Sequence, residues 1–249
     1  VAAVVTGADT LRALHRPGDP VVLANAWDAA SARAVQAAGF PAVATSSAAV
    51  ALSLGYADGE ATPVDEMLDA VARIVRAVDV PVTADLERGY GLPPAQFVER
   101  VLATGAVGCN LEDSDPRTKR LVDVDRQADF LAAVRAAAGP DLVVNARVDA
   151  YLRGVADPLA TARDRARRFR AAGADCAYPI LATAEPDIAV LAADGPVNVL
   201  FIPATPALPA LAALGVARVS FGDGIHEALA ADHARMLAAI VAGASPYGG

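Results

Sequence analysis

A unit repeats along this chain and fixes its class of fold: an alanine-rich helical stretch stops at a glycine, and a short apolar strand follows at once. It is clearest at Gly39-Phe-Pro-Ala-Val-Ala-Thr-Ser, Gly105-Ala-Val-Gly-Cys-Asn-Leu-Glu, Gly173-Ala-Asp-Cys-Ala-Tyr-Pro-Ile and Gly215-Val-Ala-Arg-Val-Ser-Phe-Gly. Glycine just past a helix accepts the left-handed conformation that closes the last turn. The strands are continuous apolar runs rather than alternating ones, the pattern of strands buried on both faces.

Taken in order, strands are expected near 21–25, 42–46, 80–87, 107–112, 142–148, 176–180, 197–202 and 217–221. Helices are expected over 29–38, 64–78, 94–104, 125–138, 158–172, 185–193, 208–214 and 225–242. The helix from 64 has apolar residues at Val64, Leu68, Val71, Val75 and Val78, one buried face. Thr62 is placed as its N-cap, with Pro63 in the first turn and Asp65 completing a capping box. Eight strand–helix pairs in a chain of this length give an α/β fold, a (β/α)8 barrel. A doubly wound open sheet shares the alternation but rarely needs eight units. The expected organisation is a single domain over 1–249: an N-terminal segment (1–19), the barrel (20–224), and a C-terminal helix and tail (225–249).

Composition removes several classes of function. The chain has a hydrophobic fraction of 55%, 20% charged residues and a net charge of -8, which excludes a disordered chain and argues against a nucleic-acid partner. No window reaches the ~20 apolar residues of a membrane span, so no membrane partner is expected. Asp9, Arg12, His15, Arg16 and Asp19 stand where a signal peptide would carry its apolar core. Cys109 and Cys176 fall in strands without metal-ligand spacing and read as buried free thiols; with the N-terminus they point to the cytoplasm. His15, His226 and His233 share no ligand spacing either, and read as packing or surface residues.

In a barrel of this kind functional groups stand at the C-terminal strand ends. The acids Asp85 and Glu87 end the strand that begins at Val80 and lead into Gly89-Tyr90-Gly91. At i and i+2 they share one strand face. Two unit charges about 4 Å apart repel by about 4 kcal/mol at an effective dielectric of about 20. A divalent cation between them removes that cost; two exposed loop acids are the plain alternative. Other strand ends bring Asn25, Trp27 and Asp28; Ser46, Ser47 and Ala48; Asn110, Glu112 and Asp113; Asn145, Arg147 and Asp149; and Ser220 with Asp223. The N-terminal ends carry glycine and alanine instead. Trp27 reads equally as a pocket wall or a helix-packing aromatic. Gly222-Asp223-Gly224 before a helix is a weak phosphate signal.

These residues resemble a known family. Asn25-Ala-Trp-Asp-Ala-Ala-Ser-Ala-Arg33, Thr45-Ser46-Ser47, Thr83-Ala-Asp85-Leu-Glu87-Arg-Gly89-Tyr90-Gly91, Asn110-Leu-Glu112-Asp113 and Asn145-Ala-Arg147-Val-Asp149 are similar to the isocitrate lyase/phosphoenolpyruvate mutase superfamily. The resemblance implies a (β/α)8 barrel whose last helix is often exchanged between subunits of a homodimer or homotetramer. It also implies Mg2+ (or Mn2+) and a small 2-oxo or dicarboxylic acid. By position, Asp85 resembles the principal metal carboxylate, Glu87 a second metal acid, and Glu112 the acid that holds metal-bound water. Ser46, Ser47 and Ala48 resemble the loop that holds the substrate carboxylate, and Arg147 the arginine on its other anionic end. Trp27, Asp58 and Asn110 complete the expected substrate contacts.

The departures bear on the reaction. The loop after Glu112 reads Ser114-Asp-Pro-Arg-Thr-Lys-Arg-Leu121, without the Lys-x-Cys-Gly-His of the lyases or the Lys-x-Asn-Ser of the phosphonate mutases. Ile180 follows Pro179 where lyases usually show Glu. Arg117, Lys119 and Arg120 read either as a basic lid or as a solvated charge run. The expected function is carbon–carbon bond cleavage, by a lyase or decarboxylase, through a metal-stabilised enolate, with Asp85, Glu87, Glu112 and Arg147 as the catalytic set. A lyase step needs a base, for which Tyr56 and Tyr90 are the candidates. The alternatives are a phosphonopyruvate-type mutase or hydrolase, and a barrel that binds a 2-oxo acid without turning it over.

Overall fold

The computed structural model describes residues 6–247. Its strands are β1 (Val21–Leu23), β2 (Asn25–Ala26), β3 (Val43–Thr45), β4 (Val82–Asp85), β5 (Gly108–Glu112), β6 (Val143–Val148), β7 (Cys176–Pro179), β8 (Asn198–Leu200) and β9 (Arg218–Ser220). All the pairings between them are parallel, in the orders β2-β3-β4-β5-β6-β7 and β1-β9-β8. β1 and β2 are one barrel strand interrupted at Ala24. On the other side Ala177 bridges Val197 in parallel, its N–H donating to the Pro196 carbonyl at 3.1 Å. The two ladders therefore close into an eight-stranded ring with no free edge.

The helices are α1 (Gly7–Leu14), α2 (Ala29–Ala37), α3 (Ser47–Leu54), α4 (Val64–Val75), α5 (Pro94–Ala103), α6 (Val124–Ala138), α7 (Pro158–Ala171), α8 (Glu185–Ala193), α9 (Leu208–Ala213) and α10 (Gly224–Val241). Outward-facing strand residues such as Val82, Ala84, Leu111, Val144 and Val219 pack against Met67, Phe97, Leu131 and Phe169 of these helices. Among the described residues no helix is long and apolar enough to cross a membrane. Both cysteines are free and buried.

Four local features differ from the sequence reading. α1 and α3 are additional helices. α4 stops at Val75, because the N–H groups of Asp79 (2.6 Å) and Val80 (3.4 Å) donate to Gln36 Oε1 instead of extending it. It starts at Val64 as expected, but its N-cap is Pro63 rather than Thr62, which is left buried with an unpartnered hydroxyl instead of a capping bond. The N-terminal end of the barrel is charged rather than only glycine and alanine.

That lower end is closed by α1. Leu11 is fully buried against Leu23, Ala44 and Val143. A Cβ on Gly108 would lie 2.7 Å from Leu11 Cδ2 and 2.9 Å from Thr83 Oγ1, so only glycine leaves room for this plug. The Asp175 carboxylate accepts from Arg12 Nε (2.7 Å), the Val144 N–H (2.7 Å) and Arg135 Nη2. Above the plug Arg218 is buried inside the ring, 1% exposed. α10 is the opposite case, since none of its residues is buried.

Candidate active site

The upper end of the ring holds a cavity of about 220 Å3. Asp85, the last residue of β4, faces it. Asp85 Oδ2 accepts from the Ser47 N–H (3.2 Å) and from Ser47 Oγ (2.8 Å). Asp85 Oδ1 is buried and has no partner. Ser46 is the N-cap of α3, and its hydroxyl accepts from the Ala49 N–H at 3.4 Å. Ser46, Ser47 and Ala48 are thus the start of a helix rather than a loop, and its positive dipole end faces the cavity they line.

Arg147 crosses the cavity wall. Nη1 is 2.8 Å from Glu112 Oε2, and Nε is 2.7 Å from Asp149 Oδ1. Burial works against its charge, but Glu112 and Asp149 outweigh that and raise its pKa. Asp149 is itself held by Arg153 at 3.3 Å and by its own N–H, which donates to Asp113 Oδ1 at 2.8 Å. Asp113 pairs with Arg165 Nη1 at 2.9 Å. The arginine is therefore fixed in place from below by a chain of buried ions.

Asn110 is oriented in the same way. Its Oδ1 accepts from Asn145 Nδ2 (2.8 Å) and from Arg218 Nη2 (3.3 Å), which leaves its own amide N–H groups for the cavity it lines. Asp58 lines the rim, where partial burial and then Asp85 push its pKa up. Of the residues singled out in the sequence, Ser46, Ser47, Ala48, Asp58, Asp85, Asn110 and Arg147 therefore share one cavity.

Glu87, Glu112 and Trp27 do not line it. Glu87 lies two residues beyond β4 with φ of 50°, so it shares no strand face with Asp85. Its carboxylate accepts from Tyr90 Oη at 2.9 Å and from the Glu60 N–H. Burial, with Asp58 next, pushes its pKa up to about 7. Burial also pushes Glu112 up, against the pull of Arg147. Among the described residues no three His, Cys, Asp or Glu side chains converge as a ready-made metal cage. Trp27 packs edge-on against His226, with ring centroids 4.9 Å apart, in an apolar groove between α2 and α10. It takes the packing role because the chain turns outward at Asp28, the N-cap of α2.

The two candidate bases also sit elsewhere. Tyr56 donates to Glu66 at 2.7 Å, and Tyr90 is committed to Glu87, with its pKa raised by burial and then by that acid. The tyrosine on the cavity wall is Tyr178, whose pKa burial pushes up to about 12. Sequence reasoning passed over it, although its position two residues after Cys176 on an inward strand face was a usable signal. Arg117, Lys119 and Arg120 are exposed on a hairpin closed by the Ser114–Leu121 bridge and do not line the cavity, although the Lys119 ammonium lies against Gly59, next to Asp58 on the rim.

With this geometry in hand, comparison with known proteins decides the family. Residues 11–241 match the model of the phosphoenolpyruvate phosphomutase family. The chain belongs to the isocitrate lyase/phosphoenolpyruvate mutase superfamily. A crystal structure from Burkholderia cenocepacia J2315, provisionally named a phosphonomutase, is 44% identical, with a TM-score of 0.86 over 94% of this chain and 98% of that one. The 2,3-dimethylmalate lyase structure is 28% identical, with a TM-score of 0.83 over 98% of this chain and 91% of that one. The 2-methylisocitrate lyase of Bacillus subtilis is 30% identical over 202 residues, 78% of this chain and 66% of that one. The chain is accordingly an enzyme of this superfamily, whose named members act on small acids.

Proposed function

We propose that the protein is a Mg2+-dependent (or Mn2+-dependent) enzyme that cleaves a carbon–carbon bond in a small 2-oxo or dicarboxylic acid and leaves an enolate. The observation that carries this reading is the Asp85 carboxylate: one oxygen is fixed by Ser47, and the other is buried without a partner. Leaving a buried charged oxygen unpaired is costly, and a cation at that oxygen removes the cost. Mg2+ keeps several waters and takes one or two carboxylates directly, so a single first ligand fits it better than a closed cage would. Glu87 and Glu112, which do not line the cavity but whose carboxyls feel the Asp85 charge, would hold its waters. When bound, the ion supplies Lewis acidity to the 2-oxo acid.

The chain's own residues do the rest. The N-terminus of α3, with Ser46–Ala48, receives one carboxylate. Arg147, held by Glu112 and Asp149, presents its remaining N–H groups to the acid's oxygens. Asn110 offers an oriented N–H donor, the kind of preorganised group that favours charge developing on an oxygen. The names of relatives such as 2,3-dimethylmalate lyase and 2-methylisocitrate lyase favour bond cleavage. The phosphonate reading is favoured by the phosphoenolpyruvate phosphomutase match. The exposed apolar side of α10, with Leu229 52%, Leu237 49% and Ile240 55% accessible, supports a homodimer or homotetramer in which this helix is covered by another copy.

Steady-state assays with oxaloacetate, methylisocitrate and phosphonopyruvate, each with Mg2+ and with EDTA, test the reading. Turnover of a carboxylic acid that EDTA abolishes is the expected result. Turnover of phosphonopyruvate alone assigns the second reading, and binding without turnover of any of them refutes the enzyme assignment.

A further inference from the structure

The walls of the cavity are unlike one another. One side is polar, with Ser46, Ser47, Asp85, Asn110 and Arg147. The other is built from Leu152, Ile180, Leu181 and Leu200, contributed by the segments after β6 and β7 and by the end of β8, with Tyr178 of β7 its one polar side chain. Leu181 has φ of 65°, a left-handed conformation rare for a leucine, and strain of this kind persists where a site depends on the residue. The charges are one-sided as well. Among the described residues, Arg147 is the single cation on the cavity wall, and two of its nitrogens are already bound to Glu112 and Asp149. Asp58 and Asp223 stand on the rim as further negative groups.

A ligand held at the polar wall must therefore end against leucine and isoleucine. A second carboxylate placed there would be desolvated without a counter-charge, whereas an alkyl group would be buried favourably. The cavity of about 220 Å3 is small, which suits a 2-oxo-acid head with a short tail.

We propose that the site selects a 2-oxo acid with one carboxylate at the polar wall and an uncharged alkyl tail against Leu152, Ile180, Leu181 and Leu200. This inference rests on the 2-oxo-acid reading given above, and narrows it to acids whose far end carries no charge. The tail wall sets specificity by exclusion as well as by attraction, because the rim acids oppose a distal carboxylate and Leu152, Ile180, Leu181 and Leu200 offer it no counter-charge.

Calorimetric titration of the full chain in Mg2+ with pyruvate, 2-oxobutanoate, 2-oxopentanoate and 2-oxoglutarate tests it. The last two have the same number of carbons and differ in a terminal methyl against a terminal carboxylate. Kd is expected to fall about fourfold for each methylene from pyruvate to 2-oxopentanoate, and 2-oxoglutarate to bind at least about tenfold more weakly than 2-oxopentanoate. In Leu181→Arg the preference between these two should reverse. Leu152→Lys, at a position 36% exposed, provides the same readout if the first variant does not fold. Equal or tighter binding of 2-oxoglutarate by the unaltered protein overturns the tail proposal alone. Failure of every one of these acids to bind in Mg2+ overturns the 2-oxo-acid reading itself.

Discussion

The two ends of the barrel carry acids of opposite kinds. At the lower end the Asp175 carboxylate meets two guanidinium groups and a backbone N–H. Arg135 also donates to the Gly173 (2.8 Å) and Leu142 (2.9 Å) carbonyls, and Arg12 to that of Pro140 (2.8 Å). At the upper end Asp85 has a bare oxygen, and Glu87 is raised to about 7 chiefly by burial. A structural acid is surrounded by its donors before any ligand arrives. An acid kept for a ligand is surrounded by other acids, and the fold bears the cost. Both ends are rich in charge, and what separates the two aspartates is whether their pairing is complete.

Changing Asp85 gives the sharpest contrast. Asp85→Ala should lower Mg2+-dependent kcat/KM by at least about 10³-fold, the scale of losing a principal electrostatic group. Its Tm should stay level or rise, because one of the crowded acids is gone. A loss of folded protein with residual turnover intact would erase the distinction between the ends.

Asp175→Ala is the converse. Removing one partner of a buried pair costs about 3–5 kcal/mol, and because the Asp175 side chain is 14% exposed the lower part of that range is expected in denaturant unfolding. Turnover per folded molecule should be unchanged.

The lower end also sets a pH dependence. Burial, with Arg218 next, lowers the His15 pKa to about 4. Its neutral form is the one the fold accepts, so the unfolded chain binds the proton more tightly. Stability from this group is complete above about 6.5 and is lost as pH falls toward about 4. His15→Met should flatten that slope by about 1–2 kcal/mol, after discounting for partial exposure; urea midpoints between pH 7 and pH 4.5 would show it. The smallest effect is expected at Arg117, Lys119 and Arg120, where alanine should change stability by less than about 0.5 kcal/mol and kcat/KM by less than about threefold. A larger kinetic loss there would mean that the hairpin closes over the cavity during turnover.

Much of the upper end could be read without coordinates, for a physical reason. Polar residues are costly in a strand buried on both faces, so Asp85, Asn110 and Arg147 stood out from the apolar runs around them. Seven of the expected site residues, with Asn25, Ser220 and Asp223 of the other strand ends, meet in one cavity. Helix extents followed from glycine stops and apolar spacing, and α8 falls at Glu185–Ala193 as expected. Trp27 was harder, because an aromatic just past a strand end can swing toward either the cavity or the next helix, and only the tertiary contact with His226 selects one. Glu87 was misplaced by extending strand periodicity past the last paired residue. The lower end was the least legible, since its ion pairs join residues far apart in sequence. α1 did leave a local trace, the Thr6–Asp9 capping box, but eight residues are too few for periodicity to register.

The plug at Leu11 has a consequence for how the chain is made. α1 precedes every barrel strand in the order of synthesis, yet Arg12 finds its acid 163 residues later, at Asp175. Leu11 packs on Val143, which is also still to be synthesised. During that interval the helix has an apolar side with nothing to cover it. This helix, made before the strands it closes, is thus sealed into the molecule only after most of the ring exists, so the lower end of the barrel is the last part to be completed.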